Sequence, residues 1–415
     1  MRMGTKVWLS LMGLSLTLSA QEPAGSWRLS GFGTLGLATS STDRIEYTRD
    51  RTQPQGITHD LSPKLDSRLG VQVNLNLRDD LELVGQVVST YRYDGTYNPE
   101  LTWGFLSYAP TSGLQVRAGR LGWDVFQLAD TKNVGYSYLW ARPPVDFFGT
   151  LAISRLDGAD VSWTFPIDRG RNLKFKVSAG RSSERTAFSG TSTSLDMSGG
   201  TLFGSVAEYQ GESLNLRLAY ARVRTGHEFP SPLPELRDGL NAFANLLSDP
   251  GLAREADALV FKDRTLEYYS VGLGWSKGHL QVDASGAQAR SGTRLFPGFK
   301  SGYLSVGYRE GSLVPYVLVS RIVSDTETPF LGALPSMGPQ GEALAAGLTG
   351  LNSRSEGNQT TLALGLRWDF HPKAALKVQL DHVISRPDAT LLFTAVQPGW
   401  DGRVTVASVL LDFVF

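Results

Sequence analysis

Apolar and polar residues alternate one for one along most of this chain. Leu69, Val71, Val73, Leu75 and Leu77 interleave with Arg68, Gln72, Asn74, Asn76 and Arg78. Leu173, Phe175, Val177 and Ala179 interleave with Lys174, Lys176 and Ser178. Leu362, Leu364, Leu366, Trp368 and Phe370 do the same with Thr361, Arg367 and Asp369. A period of two sends successive side chains to opposite faces of a β-strand, so each segment predicts a strand with one apolar face. Segments of this kind fall at 27–39, 66–78, 81–92, 100–109, 113–120, 154–165, 171–181 and 200–209 in the first half. They continue at 212–224, 265–275, 279–289, 299–309, 312–323, 359–370, 375–386 and 403–415.

The connections between them alternate strictly between short and long. Asp79-Asp80, Gln210-Gly211 and Glu310-Gly311 are typical of the short turns. The long loops fall near 40–65, 93–99, 121–153, 182–199, 225–264, 290–298, 324–358 and 387–402. A soluble sandwich has no reason to gather every long loop at one end. Strands of about 9–11 residues with short turns on one side and long loops on the other describe a transmembrane antiparallel β-barrel. The count of about sixteen strands is even, so both ends lie on the short-turn side, and a barrel that wide encloses an aqueous lumen. Open sheet edges cannot survive in lipid, which is the physical reason for closure. Trp163, Phe165, Trp275, Tyr308, Trp368, Phe370, Phe413 and Phe415 share the outward parity beside a short turn or the carboxy terminus. They predict an aromatic girdle at the membrane interface. Two long loops also carry helical spacing, with Leu236, Leu240, Phe243 and Leu247 in one and Glu342 to Leu348 in the other. Packing on neighbouring loops explains such helices as well as gating does.

Composition changes the picture only where it excludes partners. The 415 residues carry 40 basic and 40 acidic side chains and no cysteine. Charge balance argues against a nucleic-acid partner, and the missing thiols exclude disulfides, thiolate metal sites and a cysteine nucleophile. The first twenty residues combine Arg2 and Lys6 with an apolar run from Val7 to Leu18 and small residues at Ser19-Ala20. That pattern predicts a cleaved signal peptide over 1–20 and a mature barrel over 21–415.

Several short motifs resemble those of the general, non-specific bacterial porins. Asp66-Ser-Arg-Leu-Gly70 resembles that family's Ser-Arg-Leu-Gly motif at the second strand. Gly104-Phe-Leu-Ser107 followed by Gly113-Leu-Gln-Val-Arg-Ala-Gly-Arg120 resembles its strand–turn–strand before the third loop. Arg155-Leu-Asp157 with Val161-Ser-Trp163 resembles the element after that loop. The resemblance implies a homotrimer of sixteen-stranded outer-membrane barrels, in contact with lipid and lipopolysaccharide, that passes ions and small hydrophilic solutes by diffusion without cofactor or metal. It also implies a third loop folded into the lumen as an acidic constriction opposite a basic wall. Carried over, Arg68 and Arg120 are wall arginines, and Arg92 and Arg117 join them by parity. Asp124, Asp130 and Asp146 in loop 121–153 supply the acidic side. Pro144-Val-Asp-Phe-Phe-Gly149 stands where the family has Pro-Glu-Phe-Gly. Arg120 and Arg155 fall on the outward parity, so a lumen position for Arg120 requires a bulge near Gly119. The inward-facing charges nearly balance and leave ion preference open.

Other functions find less support. Gly31-Phe-Gly-Thr-Leu-Gly36 matches a dinucleotide-binding pattern by letter, but it lies inside an alternating strand with no helix behind it. Its glycines instead suit close strand packing. The five histidines are scattered without metal-ligand spacing, and no nucleophile–base pair stands out. A substrate-selective channel for sugar, phosphate or carboxylate fits the long loops equally well. A plugged structural or adhesive barrel and a barrel enzyme, as outer-membrane lipases and proteases are, remain as alternatives.

Overall fold

The computed structural model describes residues 25–150, 153–168, 170–187 and 194–415. The signal peptide expected over residues 1–20 lies outside the described residues. Sixteen antiparallel strands form one closed barrel. The first eight are β1 (Trp27–Ser40), β2 (Arg68–Arg78), β3 (Leu81–Thr90), β4 (Glu100–Tyr108), β5 (Leu114–Gly122), β6 (Arg155–Asp168), β7 (Arg171–Arg181) and β8 (Thr201–Gln210). The rest are β9 (Leu214–Arg224), β10 (Thr265–Lys277), β11 (Leu280–Ser291), β12 (Phe299–Tyr308), β13 (Leu313–Ser324), β14 (Asn358–His371), β15 (Ala374–Ser385) and β16 (Arg403–Val414). Each strand pairs with its sequence neighbours, and β1 closes the ring by pairing with β2 on one side and β16 on the other. Closure leaves no strand edge unpaired in the hydrocarbon region.

The alternation read from the sequence sorts cleanly onto two faces. Along β15, Lys377, Gln379 and Asp381 are buried, whereas Val378 and Leu380 are exposed on the outside. Along β13, Tyr316, Leu318 and Ser320 turn inward while Val317 and Val319 turn outward. Exposed aliphatics recur around the ring, among them Leu35, Val71, Val177, Leu218, Leu304 and Leu364. In water such a belt would be an aggregation surface, and in a bilayer it is the contact with lipid. At the short-turn end Trp163 stacks on Phe165 at 5.4 Å and Trp368 meets Phe370 at 5.4 Å. Phe413 and Phe415 complete that rim. A side chain at Gly31 or Gly33 would collide with the rings of Phe415 and Phe413, which cross from β16 onto β1. Gly31 and Gly33 are therefore seats for aromatic rings.

The long loops carry the helices. α1 (Val145–Phe148) is a single turn, whereas α2 (Leu233–Leu247), α3 (Pro250–Ala258) and α4 (Gly338–Ser355) are longer. α2 and α4 cover the two helical patterns in the sequence. α3 was not anticipated, although Asp249 accepts from the Gly251 N–H at 2.8 Å and Pro250 opens the first turn, a recognisable start signal. Leu240 of α2, Leu252 of α3 and Leu348 of α4 belong to one buried apolar cluster with Trp123, Phe126 and Tyr268. Apolar packing thus runs from the loop helices down to the third loop and the inner wall.

Candidate pore constriction

The third long loop, residues 123–154, starts at the end of β5 and folds inside the ring. Its ends are clasped by the Trp123 N–H, which donates to the Ser154 carbonyl at 2.8 Å. Most of its course is irregular, so its backbone polar groups need partners other than their own helix or sheet. The opposite side of the barrel provides them. Lys377 Nζ on β15 donates to the carbonyls of Gly135, Tyr138 and Trp140 at 2.7, 2.7 and 2.8 Å. It also pairs with Asp412 of β16 at 2.9 Å. Arg367 Nη1 on β14 donates to the Tyr136 and Tyr138 carbonyls at 3.0 and 2.7 Å. Both cations are fully buried. The desolvation cost of each is offset by acceptors that the loop itself supplies.

Arg142 is the loop's deepest anchor, at 1% exposure. Its Nη2 donates to Asp66 Oδ2 at 2.7 Å and its Nη1 to Asp381 Oδ2 at 2.6 Å. A further bond goes to the Ser408 hydroxyl. Burial works against this guanidinium, but Asp66 and Asp381 outweigh it and hold its pKa above the ordinary value. Next to it, the Ala141 N–H donates to Gln379 Oε1 at 2.9 Å, and Trp140 Nε1 donates to Ser305 Oγ at 2.7 Å. Four strands and the approach to β2 therefore fix one short stretch of loop.

Charge meets charge where the loop leaves β5. Asp124 pairs with Lys176 of β7 and with Arg217 of β9, each at 2.5 Å. Burial alone would raise the Asp124 pKa, but Arg217 and Lys176 overcome it and hold the carboxyl well below the usual range. Asp130 lies 3.8 Å from Lys176 with its side chain 40% exposed. Arg117 of β5 pairs across the strands with Asp160 of β6 at 2.5 Å. Farther along the loop, Asp146 of α1 is fully buried and accepts from Ser320 Oγ at 2.6 Å and from the Gln359 amide. Burial raises its pKa despite those bonds.

The closed sixteen-strand barrel has solved counterparts. OmpT, an outer membrane protein of Vibrio cholerae in its trimer form, superposes with a TM-score of 0.54 at 12% identity, over 95% of this chain and 100% of that one. OmpF of Salmonella typhi gives 0.55 at 11%, over 94% and 98%. An anion-selective porin of Comamonas acidovorans gives 0.52 at 15%, over 94% and 100%. The architecture is that of the outer-membrane porins and channels. No family model matches the sequence, and no curated protein matches it.

Within that architecture the residues named from the sequence occupy unlike positions. Arg68 faces inward, nearly fully buried, and its Nη2 donates to the Tyr138 hydroxyl of the loop at 2.5 Å. Arg117 also faces inward. Arg92 follows β3 and pairs with Glu100 at the start of β4. Arg120 lies on the other face. The β5–β6 ladder runs without a register shift from Arg117↔Asp160 to Arg120↔Asp157, and three residues reverse the face. Gly119 has φ +132° but stays paired with Phe105, so the bulge needed to bring Arg120 inward is absent there. Arg120 bonds Asp157 at 2.7 Å on the outward parity instead. Of the three loop aspartates, Asp124 is the one held between two basic wall residues, and Asp146 is locked in neutral hydrogen bonds and forms no ion pair among the described residues. Lys176 and Arg367 were legible as residues on the polar face of their strands but not as loop anchors, and Arg217 and Lys377 lie in the same alternation. Arg142 was missed. A charged residue between the aromatic run Tyr136–Trp140 and Pro143-Pro144 was the available signal, because a lone cation in apolar sequence needs buried acids.

Proposed function

We propose that this chain is an outer-membrane porin, a water-filled channel for passive diffusion of ions and small hydrophilic solutes, assembled as a homotrimer after export by its signal peptide. The observation that carries this reading is the sidedness of the wall. Lipid-facing positions are aliphatic and aromatic, while inner positions at mid-depth are Lys176, Asp160, Asp283, Ser305 and Gln379. A polar, charged inner wall under an apolar belt is suited to water rather than to a packed core. The third loop narrows that passage, and Asp124 and Asp130 sit against Lys176 and Arg217 where it meets the wall. Charges clustered beside a narrow passage bias which ions and dipolar solutes enter it. Lipid and lipopolysaccharide would cover the aliphatic belt, and the trimer form recorded for the Vibrio cholerae protein supports the assembly. Liposome swelling with sugars of increasing size tests the reading. Uptake that falls with solute size supports it, and impermeable liposomes containing folded protein overturn it.

A substrate-selective channel is the second reading. It is favoured by the apolar cluster that joins α2, α3 and α4 to Trp123 and Phe126, which a purely passive pore does not need.

A further inference from the structure

Inside the barrel lies a partly open cavity of about 110 Å³, bounded by both ends of the third loop, the inner wall and the last residue of α4. Its walls are largely apolar and include Trp123, Val125, Ile153, Tyr268 and Phe296. One cation enters it. Arg51, from the first long loop, is 8% exposed and lies over the Phe296 ring at 4.4 Å. It forms no ion pair among the described residues, and its Nε has no hydrogen-bond partner. Glu267 also borders the cavity, but its carboxylate accepts from Tyr220 at 2.8 Å and Tyr269 at 3.3 Å, and Tyr269 is on the exposed outer face. Burial, with no carboxylate acting against it, pulls the Arg51 pKa down to about 10. Trp123 Nε1, 4% exposed, is a second buried donor in the same wall without a partner.

A buried guanidinium without an anion is costly, and pockets of this kind use a few polar groups to orient a mostly apolar ligand. We propose that this cavity binds a small aromatic monocarboxylate, with the ring among the apolar walls and the carboxylate on Arg51. The size is of the right order, since an apolar cavity of roughly 150 Å³ holds a benzene ring and this one, at about 110 Å³, is partly open. The charge fits because one unpaired cation selects a monoanion. Binding here is an equilibrium property of the vestibule and does not require conduction.

The test uses wild-type protein folded in detergent, titrated with benzoate, benzyl alcohol and acetate while tryptophan fluorescence is followed. Benzoate should saturate. Benzyl alcohol, which lacks the charge, and acetate, which lacks the ring, should each bind at least roughly tenfold more weakly, the equivalent of one charge-assisted hydrogen bond or one buried ring. Trp123→Phe should remove most of the signal change, and Arg51→Gln should weaken benzoate by about tenfold or more while leaving benzyl alcohol unchanged. Equal affinity for benzoate and benzyl alcohol, no saturation, or unchanged affinity in Arg51→Gln would overturn the site. If Arg51→Gln does not fold, the three-ligand comparison on wild type decides by itself. Benzoate binding by a protein that conducts nothing in a bilayer would keep this site and sink the channel reading instead.

Discussion

Replacing Arg142 by Met removes a buried cation while keeping most of its volume, and leaves Asp66 and Asp381 at 2% and 3% exposure without their partner. Breaking such a pair from one side costs about 3–5 kcal/mol. That cost has a ceiling, because a buried carboxylate left without its cation can escape by binding a proton. An aspartate with an ordinary pKa of ~3.9 must move about three units to be protonated at pH 7, at roughly 1.4 kcal/mol per unit, or about 4 kcal/mol. At pH 5 the same escape costs only about 1.5 kcal/mol. The penalty falls on docking of the loop, since the barrel ladders do not pass through Arg142. Hydrogen exchange of peptides covering residues 123–154 reads it directly. The expected result is protection reduced by roughly a thousandfold at pH 7 and about tenfold at pH 5, with strand amides unchanged. The Ala141 amide, which donates to Gln379, should be among the most affected. Asp66→Asn in the Arg142→Met background should recover part of the loss. Equal protection in variant and wild type, or a loss independent of pH, would refute the assignment of Arg142 as the pin.

Other outcomes follow from the same geometry. Asp124→Asn leaves Lys176 and Arg217 without their carboxylate, so the zero-current potential under a salt gradient should move toward anions, and Lys176→Gln should move it toward cations. The two loop aspartates should give opposite pH dependence. The Asp124 pKa is depressed, so its contribution is complete above about pH 4 and is lost as pH falls through the folded value. The Asp146 pKa is raised, so its contribution is complete below about pH 4 and declines as pH rises through the folded value; Asp146→Asn should abolish that decline in loop hydrogen exchange. Gly33→Val sets a side chain against the Phe413 ring and should lower barrel stability by about 1–3 kcal/mol in a urea titration, with Phe413→Leu in the same chain relieving part of it.

The barrel was legible because a lipid-facing strand obeys a strict rule. Every second residue must be apolar over some ten positions, and sixteen repetitions leave little room for another topology. All sixteen strands match the segments read from the sequence to within about three residues at either end. The loop site was less legible, since its partners are set by where an irregular segment crosses the ring. Arg142 bonds residues 76 and 239 positions away, a distance no local pattern encodes. Arg120 illustrates the opposite lesson: its parity gave the right face, and the motif resemblance pulled it to the wrong one. Asp146 sits in the element that replaces Pro-Glu-Phe-Gly, and Ser320 and Gln359 there provide hydrogen bonds in place of a cation.

A porin must conduct. Detergent-folded protein inserted into a planar bilayer, with folding verified by resistance to unfolding before heating, is the most direct test. Stepwise current increments, grouped in threes if the assembly is a trimer, with a conductance that rises with salt, are the expected result. A bilayer that stays silent after demonstrated insertion of folded protein would contradict the porin reading.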